Sequence, residues 1–209
     1  MINSKEELKF FLSADKFILG KQGKPKFYGD EIWKFQIALR KCEYYKNKKG
    51  INKIKYLMFK VIKKKLGYKL GFDIPEGVFD AGLRLNHFGN IVVNGNSRIG
   101  RWCDIHQGVN IGDSNPSIRV KTEKYSPNIG DNVWIGPGAK IFGNIKIGSQ
   151  VQIGANAVVG KSFDEDVTIG GVPAKVINEK GTSNVDVAAS INRTKLFFQK
   201  YPEYQKYEK

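Results

Sequence analysis

Residues 129–160 read IGDNVWIGPGAKIFGNIKIGSQVQIGANAVVG. Ile or Val returns at every sixth position, at Ile129, Ile135, Ile141, Ile147, Ile153 and Val159, and the same grid runs back through Ile111, Ile105 and Ile99 to Val93. Glycine follows the grid residue seven times, the first at Gly100 and the last at Gly160. Three positions after the grid come Asn96, Gly108, Asn132, Gly138, Asn144 and Asn156, residue types that enter left-handed backbone conformations at least cost. Four positions after it the residues are mostly small or aliphatic, as at Cys103, Val109, Val133, Ala139 and Val151. Side chains alternate along a strand, so the grid residue and the one four later point the same way. Each hexad therefore predicts a short strand with an inward pair and then a corner. Short strands joined by corners at a fixed period wind into a parallel β-helix. A β-sandwich of short strands is the alternative, but its strands recur at roughly 8–12 residues with irregular turns.

Around this core the chain has 209 residues, enough for one substantial core or two small domains. No apolar run approaches the ~18 residues of a membrane span, and MINSKEELKF lacks the apolar stretch of a secretory signal. We expect a cytoplasmic protein. Cys103 falls on an inward hexad position and reads as a small buried thiol, and no Cys/His spacing resembles a zinc site. Residues 1–70 hold 19 Lys/Arg against 6 Asp/Glu, while 71–209 hold 16 against 14, so nearly all of the net charge of +15 is N-terminal. A block such as Lys60, Lys63, Lys64, Lys65 and Lys69 suits either an anionic surface or a solvated helix face, and we favour the solvated face. No RNA-binding motif frames the nearby aromatics, so no nucleic-acid partner is expected.

Residues 1–70 read as a basic helical segment. Ser4 and Glu7 have capping-box spacing for a helix through Leu12. Asp30 is placed to cap a second helix, with Ile32, Phe35, Leu39 and Cys42 at helical spacing. Ile54, Leu57, Met58, Val61 and Ile62 form a third apolar stripe, ending near Gly67. The β-helix is expected over 71–178. Its register slips by two between Ile91 and Val93, enlarging the turn near His87, and residues 113–128, DSNPSIRVKTEKYSPN, lack the hexad pattern and predict a protruding loop. Residues 179–209 are expected as a C-terminal tail, of which 190–209 either form a helix or stay mobile.

Chemistry in a regular solenoid is expected where the repeat breaks. His87 sits in the enlarged turn, and a neutral imidazole can take a proton from a hydroxyl at physiological pH. A structural or surface histidine is the bland alternative. His106, at a slot where glycine otherwise prevails, is the competing imidazole. Asp73 and Asp80 are the nearest upstream carboxylates able to orient His87.

The segments FDIPEGVF, LNHFGNIVVNG, NIGDNVWIGPGAKIFGNIKIG, QIGANAVVGKSF and GGVPAKVI resemble, in that order, the catalytic domain of serine acetyltransferases in the hexapeptide-repeat acyltransferase superfamily. The resemblance implies a left-handed parallel β-helix, a homotrimer with active sites between subunits, and acetyl-CoA as co-substrate without a metal. It places the catalytic base on His87 with Asp73 as its orienting partner. It places cofactor contacts on Gly138, Ala139, Ala155, Gly160, Lys161 and Lys175; acceptor contacts are expected at Asn86 and Tyr125, which stand at the family's acceptor positions, and at His106, which is placed to line the same groove. The family carries Asp before its catalytic histidine, where this chain has Asn86. It carries Arg-His-Pro in the following loop, where this chain has KYSPN with Tyr125 and Ser126, and it has a helical segment about twice as long. On these departures, and on a resemblance in layout to enzymes of polysaccharide and capsule biosynthesis, we expect the acetyl group to go to a hydroxyl of a sugar or polysaccharide precursor. Serine O-acetylation for cysteine synthesis and a non-catalytic scaffold or binding module are the alternatives.

Overall fold

The computed structural model describes residues 2–113, 125–184 and 190–208. Three helices, α1 (Lys5–Ile18), α2 (Glu31–Tyr45) and α3 (Ile51–Leu70), lead into a three-sided prism of parallel strands. The first face stacks β1 (Phe72–Asp73), β3 (Ile91–Val93), β6 (Asn110–Gly112), β9 (Lys140–Phe142) and β12 (Val158–Val159). The second stacks β4 (Arg98–Ile99), β7 (Asn128–Ile129) and β10 (Lys146–Ile147). The third stacks β2 (Arg84–Leu85), β5 (Asp104–Ile105), β8 (Trp134–Ile135), β11 (Gln152–Ile153) and β13 (Thr168–Gly170), closed by antiparallel β14 (Lys175–Asn178). This is the parallel β-helix that the hexads predict, left-handed as the family resemblance implies.

The grid residues stack as columns inside it. Leu85, Ile105, Ile135, Ile153 and Ile169 share one rung position. All are buried, as are the fourth-position residues Cys103, Val109, Val133, Ala139, Val151 and Ala157. Each Ile or Leu so placed contributes about 1.5–3 kcal/mol of burial. The glycine that follows a grid residue has a steric cause: a Cβ at Gly136 would lie 2.7 Å from the Ile153 carbonyl oxygen, and one at Gly130 would lie 2.6 Å from the Ser149 nitrogen. The next coil leaves no room for a side chain. At the third position Gly108, Asn132, Gly138 and Asn156 take positive φ as expected, joined by Trp102 and Gln150, whereas Asn96 and Asn144 do not.

The breaks fall where the register changes. Val93 pairs with Ile111 while Leu85 pairs with Ile105, so the turn between Leu85 and Val93 holds two residues more than a regular hexad. Ile111 pairs with Ile141, and Ile129 takes its place beside Ile99. Ile99 and its partner Ile129 are 30 residues apart where Ile129 and Ile147 are 18 apart, so the chain between them is longer than a regular coil; most of the expected loop, including Arg119, Lys121 and Lys124, lies outside the described residues.

The helical segment differs from expectation in three respects. Ser4 caps α1, accepting from Glu7 N at 3.0 Å, but the helix continues past Leu12 to Ile18. Asp30 makes no capping hydrogen bond; it has φ 57°, and its carboxylate takes Lys21 Nζ and Lys26 N instead. Helix α3 runs past Gly67 to Leu70 and stops at Gly71, whose φ of 77° supplies the left-handed cap. The segment docks on the first coil through a buried polar cluster. Arg40 donates to Asp15 Oδ2 (2.8 Å), Glu43 Oε2 (3.1 Å) and the carbonyls of Phe79 and Asp80. Asp15 accepts from Gly82 N and Leu83 N, and Glu43 from Gly77 N. The tail is ordered as α4 (Ser190–Lys200), whose Phe197 and Phe198 pack with Phe10 of α1 and with Trp102.

Candidate active site

The enlarged turn crosses from β2 to β3 over one corner of the prism. Gly89 N donates to Leu70 O and Ile91 N to Gly71 O, which pins the turn against the end of α3. Gly89, at φ 131°, sits over Gln107, where an added Cβ would come within 3.0 Å of the Gln107 Cβ. Beneath it the same corner repeats: Gly138 N donates to Gln107 O, and Asn156 N to Pro137 O. His87, Gln107–Gly108, Pro137–Gly138 and Ala155–Asn156 thus form one vertical edge of small residues with an exposed imidazole at the top.

Beside this edge the third face carries an outward polar cluster. Arg84, Asp104 and Trp134 share one rung position, and Asn86 and His106 follow the grid residues on the same rungs. Asp104 is almost fully buried and accepts from Arg84 Nη1 at 2.8 Å and from Asn86 Nδ2 at 2.5 Å. Arg193 of α4 brings a second guanidinium within 3.8 Å of the same carboxylate. Asn86 Nδ2 also lies 2.9 Å from His106 Nε2. An amide nitrogen only donates, so Nε2 accepts and the His106 proton resides on Nδ1. The His106 ring packs on Trp134 at 4.9 Å and faces the His87 ring at 6.0 Å. Burial pushes the His106 imidazole below its ordinary pKa of 6.5, against the pull of Asp104 and with the help of His87 and Arg84. That shift favours the neutral ring. A cleft lined by Lys21, Asp30, Trp33, Arg84, Asn86 and Phe88 opens between the helical segment and this face.

The structure brings together some of the residues expected from sequence and separates others. His87, Asn86 and His106 share the corner, with Gly138 and Ala155 below them. Ala139 is fully buried, its N–H given to Gly136 O and its carbonyl taken by Asn110 N. Gly160 and Lys161 follow β12 and lie across the first face from His87. Lys175 begins β14, just after Ala174 N bonds to Val158 O near the foot of the edge. Tyr125 adjoins Ser126, which is anchored on Asn94 and Asp113, also across that face within one protomer. Asp73 is exposed on β1, and among the described residues no hydrogen bond joins it to His87. Asp80 is engaged by Ala81 N and Arg101 on the first turn, away from the imidazole. Arg84, Asp104 and Trp134 were missed by sequence reasoning; their signal is the outward alternation one residue before each grid position. Arg193, which arrives from the tail, leaves no such signal.

Residues 126–161 match the family of bacterial transferases with hexapeptide repeats (six repeats). The serine acetyltransferase of Staphylococcus xylosus is 35% identical over 152 residues, 72% of this chain and 64% of that protein. That of Synechococcus elongatus is 36% identical over 112 residues, 53% and 44% of the two chains. The crystal structure of Neisseria gonorrhoeae serine acetyltransferase superposes with a TM-score of 0.65 at 26% identity, covering 89% of this chain and 70% of that one. The chain is a serine acetyltransferase-like member of the hexapeptide-repeat superfamily. It spans less than two thirds of the length of these curated relatives.

These comparisons overturn the expectation of a sugar or polysaccharide acceptor, because the relatives and the superposed structure are serine acetyltransferases. The expectation rested in part on Asn86, which stands where the family carries Asp. Behind that amide stands a carboxylate from the next coil: Asp104 accepts from Asn86 Nδ2 at 2.5 Å and is paired with Arg84.

Proposed function

We propose that this chain is an acetyl-CoA-dependent serine O-acetyltransferase. The observation that carries the reading is the juxtaposition at one corner of an exposed imidazole, His87, with the Asn86–Asp104–His106 cluster. Likeness to the N. gonorrhoeae enzyme in complex with serine, with a TM-score of 0.59 and 26% identity over 82% of this chain and 69% of that one, supports it.

Acetyl-CoA, as the donor substrate, supplies the activated acetyl group. The flat edge of Gly108, Gly138 and Ala155 has the small side chains that let a pantetheine arm run along backbone, and the exposed amines of Lys161 and Lys175 suit its phosphates. With Gly160 on the other side of the first face, these contacts are best completed by a neighbouring subunit, so the active unit is a homotrimer. His87 takes the proton from the serine hydroxyl as that oxygen attacks the thioester carbonyl; backbone N–H groups of the turn hold the oxyanion, and His87 returns the proton to the departing thiolate. Asp104 holds the Asn86 amide nitrogen, leaving the Asn86 Oδ1 to accept from the serine ammonium, and neutral His106 offers its Nδ1–H to an oxygen. Asp73 is kept as a candidate orienter of His87 through the assembled trimer.

The reading is tested by following free-thiol release from acetyl-CoA. L-Serine should stimulate release, and acetyl-CoA should raise the melting temperature as a ligand selective for the folded state. Thiol release indifferent to L-serine would refute the assignment, and absence of any shift with acetyl-CoA would favour a non-catalytic scaffold.

A further inference from the structure

Helix α3 is apolar on two sides. One side, with Tyr56, Phe59, Leu66 and Leu70, packs toward α2 and the first coil. The other carries the stripe read from the sequence, and it faces outward: Ile51, Ile54, Leu57, Met58, Val61 and Ile62 are exposed, Ile54 at 62% and Val61 at 54%. Tyr68, 77% exposed, extends the stripe toward the end of the helix. The spacing of 51, 54, 58, 61, 65 and 68 places these positions along one line of a helix about 30 Å long. Lys65 interrupts that line, and Lys53, Lys60 and Lys64 border it on one side with Lys55 on the other. The helix has seven lysines and no acidic residue. Among the described residues, Lys63 and Lys69 are the helix lysines held in ion pairs, with Glu76 and Glu31.

We propose that this outward face docks the protein on an anionic lipid bilayer, with α3 lying in the plane of the headgroups. An exposed apolar stripe bordered by lysines is the pattern of an interfacial helix: the apolar side chains enter the acyl boundary while the lysine stems reach up to the phosphates. Lysines within the stripe and along its borders exclude a spanning role, and no described helix is long and apolar enough to cross a membrane. Charge selects the occupant. A second copy of this chain brings the same lysine-rich helix on a segment of net charge +13, so two such faces repel each other, and residues 71–209, at +2, have no net negative charge to offset it. An anionic bilayer complements both the charge and the apolar side chains.

The full chain is sedimented with vesicles of phosphatidylcholine alone and of phosphatidylcholine with about one third phosphatidylglycerol. The proposal predicts binding that is strong on the anionic vesicles, weak on the neutral ones, and reduced at least about tenfold by raising salt from roughly 0.05 to 0.5 M. The double variant M58E/V61E should lose anionic-vesicle binding about tenfold or more, and K60Q/K64Q/K65Q should lose it while keeping the helix content and oligomeric size of the wild type. Both act on exposed positions, so circular dichroism separates lost binding from lost folding. Failure to bind anionic vesicles, or equal binding to both kinds, would overturn the proposal. A smaller oligomer by light scattering for M58E/V61E would also overturn it, since a second copy would then be what covers this face. None of these outcomes depends on the acetyl-transfer reading, which is measured separately in solution.

Discussion

His106 shows how one residue is fixed by its rung. Its Nε2 faces the Asn86 amide, its ring lies on Trp134, and burial holds its pKa below 6.5. The unfolded chain therefore binds a proton there at a higher pH than the folded one. The sign follows: the stability associated with neutral His106 is complete above about pH 6.5 and is withdrawn as the pH falls below it. His106→Gln removes the titration, so its melting temperature relative to the wild type should rise between about pH 7.5 and 5.5, measured by calorimetry. Asp104 belongs to the same rung and holds the Asn86 amide nitrogen. Because it orients the amide that meets the serine ammonium, Asp104→Asn should raise the KM for L-serine about tenfold or more and leave the KM for acetyl-CoA nearly unchanged, a split that loss of folding alone does not produce.

At the scale of elements, the junction between helices and prism is the most sensitive. Arg40 lies between α1, α2 and the first coil with its donors divided among two carboxylates and two carbonyls. Arg40→Ala leaves Asp15 and Glu43 buried without their cation and should cost about 3–5 kcal/mol, read from denaturant unfolding. The strands of the prism were legible because Ile or Val every six residues has one geometric solution, and the widened turn was legible because Leu85 and Val93 break the step. The helices were less so. Asp30 has the residue type of a cap, but the nearby Lys21 and Lys26 N claim its carboxylate. The α3 stripe has the right period, yet period alone does not say which of two apolar sides meets the core, and Phe59, Leu66 and Leu70 occupy that side.

For the whole molecule, the coil brings residues from four separate stretches to one edge, and that is why the site was only partly visible in the sequence. His87 stood out because it interrupts the repeat. Asp104 did not, since an outward residue just before a grid isoleucine is where any soluble side chain is tolerated, and only stacking on Asn86 and Arg84 gives it meaning. The acceptor was misjudged for the same reason: a local substitution, Asn86, was weighed without its neighbour one coil away. The central claim is that the imidazole in the widened turn is the base that activates the serine hydroxyl. Steady-state kinetics of His87→Ala beside the wild type test it most directly. The account predicts that kcat falls by about 10²–10⁴ while the KM for L-serine changes little; turnover of His87→Ala within a few fold of the wild type would contradict it.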